Sequence, residues 1–167
     1  MALTRLGVNN ISNSTLANVT SLPAGVGGKV LQVVTFNSDT KESTTNTSFT
    51  GSLKRLSITP SSTSSKILIV YSGTARHNNN GSHCTFTLYR ETTSTNLGDA
   101  TDGMNQIYNA GGLGYAQLSM NYLDSPSTSS SVEYRVYFKS QAGGTTAEIG
   151  GGDARSVLTL MEIAGWL

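Results

Sequence analysis

Charge is the first thing this chain has little of. Lys, Arg, Asp and Glu make up 13% of its 167 residues, against about 25% in an ordinary soluble domain, and they leave a net charge of +1. The 11 Lys and Arg are scattered, so no patch forms that could hold a phosphate backbone, and a nucleic-acid partner is not expected. Cysteine is nearly missing too. The single Cys84 excludes an internal disulfide framework. Long apolar runs are absent: nothing approaches the roughly 18 residues of a membrane span, and MALTRLGVNNISNS has no core of signal-peptide length. The chain is therefore expected to fold in a cytoplasm, without membrane insertion. Helical periodicity is the last absence, since no window carries it.

Serine and threonine fill the space, at 23 and 22 residues. Disorder usually comes with high net charge and few β-branched residues, whereas Val, Ile and Thr are plentiful here. The composition reads as an ordered β-protein with an uncharged polar surface. Low charge also removes the repulsion that holds like copies apart, so assembly is easily tolerated.

From residue 28 onward, apolar and polar residues alternate between turn clusters. Strands are expected at 29–36 (KVLQVVTF), 53–59 (LKRLSIT), 66–75 (KILIVYSGTA), 83–90 (HCTFTLYR), 115–123 (YAQLSMNYL), 132–139 (VEYRVYFK) and 156–165 (SVLTLMEIAG). Weaker strand signals lie at 96–99, 104–109 and 146–150. In VEYRVYFK, Val132, Tyr134, Val136 and Phe138 share one face, and Glu133, Arg135, Tyr137 and Lys139 the other, as in a half-buried strand. SVLTLMEIAG puts Val157, Met161 and Ile163 on one face and Leu158 and Leu160 on the other, so both faces want cover. KILIVYSG has the same need and suits a central strand. The expected fold is all-β, an antiparallel sandwich or a barrel.

Residues 1–27 behave differently from the domain expected at 28–167. Leu3, Leu6, Val8, Ile11, Leu16, Val19 and Leu22 stand at irregular spacing among small polar residues. Such a segment is too apolar for a solvated tail and too irregular for a strand of the main sheet, so it is expected to be an arm that packs on something else: the domain's own flank, a neighbouring copy or a larger assembly. Within the domain, LSITPSSTSSKILIVYSG (56–73) puts a proline and a serine tract between two strands, and SPSTSSSVEY (125–134) repeats the device. Pro60 lacks an amide donor and stops its strand, and the serine tract reads as a solvated connector.

No catalytic set emerges. His77 and His83, with Cys84 adjacent, are spaced six apart in a run rich in turn formers, HNNNGSH, which reads as a solvated hairpin tip rather than a metal site. Asp99 and Asp102 in GDATDG fit turn chemistry better than a hydrolytic pair. The clusters at 24–29, 109–116 and 142–154 lack the sequence of a phosphate loop. No catalytic residue, cofactor or metal is therefore expected. Tyr108 and Tyr115 flank a glycine segment, and with His77 and Asn79 they are the candidates for contact with a receptor, such as a host-surface glycan.

The order GKVLQVV, LSITPSSTSSKILIVYSG, LDSPSTSSSVEYRVYFKS and LTLMEIAGW, preceded by ISNSTLANVTSLPAGV, resembles a family of virion proteins of tailed phages of cyanobacteria and marine bacteria, the fibres and fibre-like structural proteins. The resemblance covers nearly the whole chain, and ITPSS…KILI and LMEIAG are its most specific words. It implies a jelly-roll-like sandwich, a homotrimer, no enzymatic activity, and a place in the virion after synthesis in the host bacterial cytoplasm. With only a short segment before the domain, a short tail fibre or knob attached through residues 1–27 is expected rather than a long shaft. The alternatives are a capsid decoration (cement) or head-fibre protein, and a carbohydrate-binding module.

Overall fold

In the computed structural model, which describes residues 30–78, 81–109, 111, 115–151 and 154–165, the chain is β-structure almost throughout. The strands are β1 (Val30–Ser38), β2 (Glu42–Thr44), β3 (Thr50–Ile58), β4 (Lys66–His77), β5 (Ser82–Arg90), β6 (Thr95–Asn96), β7 (Asn105–Asn109), β8 (Ala116–Asp124), β9 (Val132–Ser140), β10 (Ala147–Ile149) and β11 (Ser156–Ile163). A single 3-10 turn, Glu91–Thr93, is the one helical element among the described residues.

Two antiparallel sheets face each other. The first runs β1-β11-β4-β8, with β10 taking over beside the far end of β4 and β2 outside it. The second runs β3-β9-β5, and β5 is flanked on its other side by β7 and, at its end, by β6. With the short β2, β6 and β10 set aside, β1, β4, β8 and β11 fall in the first sheet and β3, β5, β7 and β9 in the second. That is the winding of a jelly roll.

Period-2 patterning builds the core. Ile67, Ile69, Tyr71, Leu158, Leu160, Leu118 and Met120 point inward from the first sheet, and Cys84, Phe86, Leu88, Val132, Tyr134, Val136 and Phe138 meet them from the second. Phe86 and Phe138 stack with ring centroids 6.3 Å apart. The inward face expected for VEYRVYFK is the one observed.

Two local expectations are corrected. HNNNGSH is not a hairpin tip, because the strands on either side of it, β4 and β5, lie in different sheets. β4 has its pairing filled by β11, β10 and β8, which leaves no side for β5. The serine tract after Pro60 is only partly solvated. Ser61–Ser64 are exposed, but Pro60 and Ser65 are buried, and Ser61 is bound to the interior. Its backbone N–H and its hydroxyl both donate to Glu162 Oε1, at 2.7 and 2.6 Å. Glu162 ends the inward row of β11 and is 1% exposed, so the tract supplies the donors that a buried carboxylate requires.

The second strand of the chain went unread in the sequence. β2 is only three residues long, EST, and pairs with β10. It also clips the sheets together: Glu42 accepts from Lys54 Nζ at 2.7 Å and from the Leu53 backbone N–H at 2.6 Å, both on β3 of the opposite sheet.

Candidate functional site

The four residues singled out for receptor contact are not brought together. His77 is 2% exposed and points into the sandwich, where its Nε2 lies 3.0 Å from Ser140 Oγ and 3.1 Å from Thr145 Oγ1. It offers no surface to a ligand. Its position follows from β4's alternation, which turns 67, 69, 71, 73, 75 and 77 inward. Asn79 lies outside the described residues, as does the whole set Leu3, Leu6, Val8, Ile11, Leu16, Val19 and Leu22. Tyr108 is exposed on β7, opposite His83 of β5, on the outer face of the second sheet. Tyr115 sits at the start of β8, on the first sheet, with its hydroxyl 3.2 Å from Glu148 Oε2 and the Arg76 guanidinium 4.9 Å from its ring centre.

Around Tyr115 lies a small charged cluster. Arg76 donates to both carboxylate oxygens of Glu148, from Nε at 2.8 Å and from Nη2 at 3.0 Å, and Lys41 Nζ stands 3.6 Å away. Burial pushes the Glu148 carboxyl up, but the hydrogen bond and charge of Arg76, aided by Lys41, outweigh it and hold the group below its ordinary value. A fork-to-fork pair of this kind fixes the register of β10 on β4.

The second sheet's outer face carries the chemistry that period-2 reading assigned to β9. Tyr137 stacks on Tyr89 of β5 with centroids 4.0 Å apart, Phe49 meets Tyr89 edge-on at 6.4 Å, and Lys139 lies 4.6 Å from the centre of Phe49. Glu91 accepts from the Tyr137 hydroxyl at 2.9 Å and from Arg135 Nη1 at 3.1 Å. Burial, then Glu91, raise the Tyr137 phenol. Arg135 has a structural task as well. The ladder between β3 and β9 shifts register between Gly51 and Arg55, and Arg135 donates to the Ser52 and Gly51 carbonyls at 2.5 and 3.0 Å. A Cβ on Gly51 would lie 2.5 Å from that guanidinium, so any larger residue there would push Arg135 out of its place.

Other candidates close down. Asp99 Oδ1 accepts from the backbone N–H groups of Thr101 and Asp102, both at 2.7 Å, so this carboxylate shapes the turn. Those bonds hold its pKa below the ordinary value, that of Asp102 first. Gly103 in the same turn has φ +60, and a Cβ there would come within 2.5 Å of the Phe86 carbonyl oxygen. Cys84 is buried, and burial pushes its thiol up to about 12, far from the thiolate a nucleophile needs. Among the described residues no group of three His, Cys, Asp or Glu side chains gathers to hold a metal ion, and no helix is long and apolar enough to cross a membrane.

The first sheet's outer face is unlike the second's. Met161 of β11 lies opposite Val33 of β1 and Leu68 of β4, and Leu68 lies opposite Leu123 of β8. One apolar line thus crosses four strands. The next line, Thr35, Thr159, Val70 and Asn121, is more polar, and the one beyond it holds Asn37, Val157, Ser72 and Ser119. Compared with protein-family models and with curated protein sequences, the chain finds no match.

Proposed function

We propose that the protein is a structural module of a phage virion, a short tail fibre or knob that joins the particle through residues 1–27 and presents its sandwich to the host surface, with three copies assembling together. The observation that carries this reading is the division of the surface into two chemically opposite faces. Between Lys66 and Arg76 of β4, one sheet turns out an uncharged, partly apolar stretch suited to being covered. The other turns out tyrosine, arginine, lysine and glutamate, with Tyr108 freely exposed, a composition suited to polar contact. The buried thiol, the turn-bound Asp99 and the inward His77 are consistent with a role that involves no chemistry. The resemblance to fibre-like virion proteins adds the setting.

The test is electron microscopy of virions labelled with antibody to this chain. Label on the tail is expected. Label on the head would move the protein to the capsid-decoration or head-fibre reading. Absence from purified particles would refute the virion role and leave a free carbohydrate-binding module, which a glycan array can probe.

A further inference from the structure

β4 and β11 have sequences that ask for cover on both faces, and the described residues provide it on one. Inward, Ile67, Ile69, Tyr71, Leu158 and Leu160 are fully buried. Outward, the line Val33, Met161, Leu68 and Leu123 reaches from one edge of the sheet to the other, with Val33 52% and Leu123 48% exposed. Leu31, Ile163 and Val70 widen it. Between Lys66 and Arg76, the outward positions of β1, β11, β4 and β8 hold no charged residue.

We infer that this face is an interface between copies of this chain. It has no charge by which a partner of opposite sign could be selected, and two identical neutral faces meet without repulsion. Copies turned toward a shared axis, as in the three-copy assembly proposed above, bring these neutral faces together, so the apolar line of one copy meets that of its neighbour. Four strands spaced ~4.8 Å apart and about eight residues long at ~3.3 Å each span about 500 Å² per copy. Two copies therefore cover about 1,000 Å², which reaches the lower bound for specific association.

The edges of the two sheets point to the same side. β8 pairs with β4 over nine unbroken positions, and its other edge runs from Ala116 to Leu123 without a charge or a proline. The edge strand of the other sheet, β3, carries Lys54 and Arg55 and a shifted register, the usual guards of a strand that faces water. β8 keeps an unbroken register, and its one charge, Asp124, lies buried at its end.

This inference shares with the virion reading only the meeting of like copies, and its test uses purified full-length protein, so the two can fail separately. Sedimentation velocity is run on the wild type, on Val33→Lys and Leu123→Lys singly and together, and on Leu53→Lys, which places the same charge on an exposed leucine of the second sheet. Far-UV circular dichroism checks each fold. The wild type is expected to sediment as an oligomer at micromolar concentration. The face variants should weaken association by at least about tenfold, because each lysine would be buried unpaired, while Leu53→Lys sediments as wild type. Hydrogen exchange on the unmutated protein gives a second reading: protection in β1 and β8 should fall on dilution while that in β3 stays constant. A monomeric wild type, face variants that keep the wild-type mass, or exchange in β1 and β8 that ignores dilution would each overturn the assignment and leave the face to residues 1–29 or to another protein.

Discussion

At the scale of single residues, Glu162 is the most demanding side chain in the described structure. It is buried at the end of β11 and answered by neutral donors: Ser61 through its backbone N–H and its hydroxyl, and Gln32 Nε2 at 2.7 Å. Burial alone would raise its pKa, but the donors win, the Ser61 hydroxyl leading, and bring it from the ordinary 4.5 to about 2. A carboxyl depressed in the folded state stabilises above its unfolded pKa and loses that contribution as pH falls toward its folded one. The stability advantage of wild type over Glu162→Gln should therefore be full at neutral pH and shrink between about 4.5 and 2, the two values given above. Urea unfolding across that range measures it, and an advantage that ignores pH would refute the account. Glu162→Ala strands several donors and should cost on the order of 2–4 kcal/mol at pH 7.

At the scale of elements, the seven long strands were legible because each alternates over many residues against a single core. β4, β9 and β11 begin at the residue their sequences indicate, Lys66, Val132 and Ser156. β2 was illegible, since three residues carry no period and exist as a strand only through β10 and Glu42. The serine tract was misread for a related reason: its partner, Glu162, lies 101 residues away in sequence. Of the contact candidates, Tyr108 is exposed and His77 is not, because the turn-rich surroundings of His77 said nothing of the inward parity it inherits from β4. The aromatic column on the second sheet required the register of β5 against β9, which composition does not contain. The clip between β2 and β3 yields its own prediction. Glu42→Ala leaves Lys54, 1% exposed, without its carboxylate, and should cost about 3–5 kcal/mol. Replacing both residues with apolar ones of similar size should cost less than the single change. A thermodynamic cycle of single and double variants by urea unfolding tests this, and additive costs would mean the two are not coupled.

At the scale of the whole molecule, the core formed among the described residues is built between Ile58 and Leu160, flanked by Val34 and Phe36. Deleting residues 1–24 should therefore leave a folded sandwich that unfolds in one cooperative transition and, on the virion reading proposed above, should cost it its place in the particle. Circular dichroism and a blot of virions complemented with the truncated protein read the two effects separately. A truncated chain that cannot fold would make the segment part of the core, and full incorporation would remove it as the anchor.

The position of β11 between β1 and β4 sets the order in which the chain can finish. Among the described residues β1 has one partner strand, and that partner comes late: Gln32 and Glu162, neighbours across the two strands, are 130 residues apart. A ribosome that has delivered everything through β10 has made a first sheet divided in two, with β1 and one side of β4 both open. Closure of distant pairs is slow, and until it occurs those edges can capture the strands of neighbouring nascent chains. A message read by many ribosomes at once would thus bring copies together before any of them is complete.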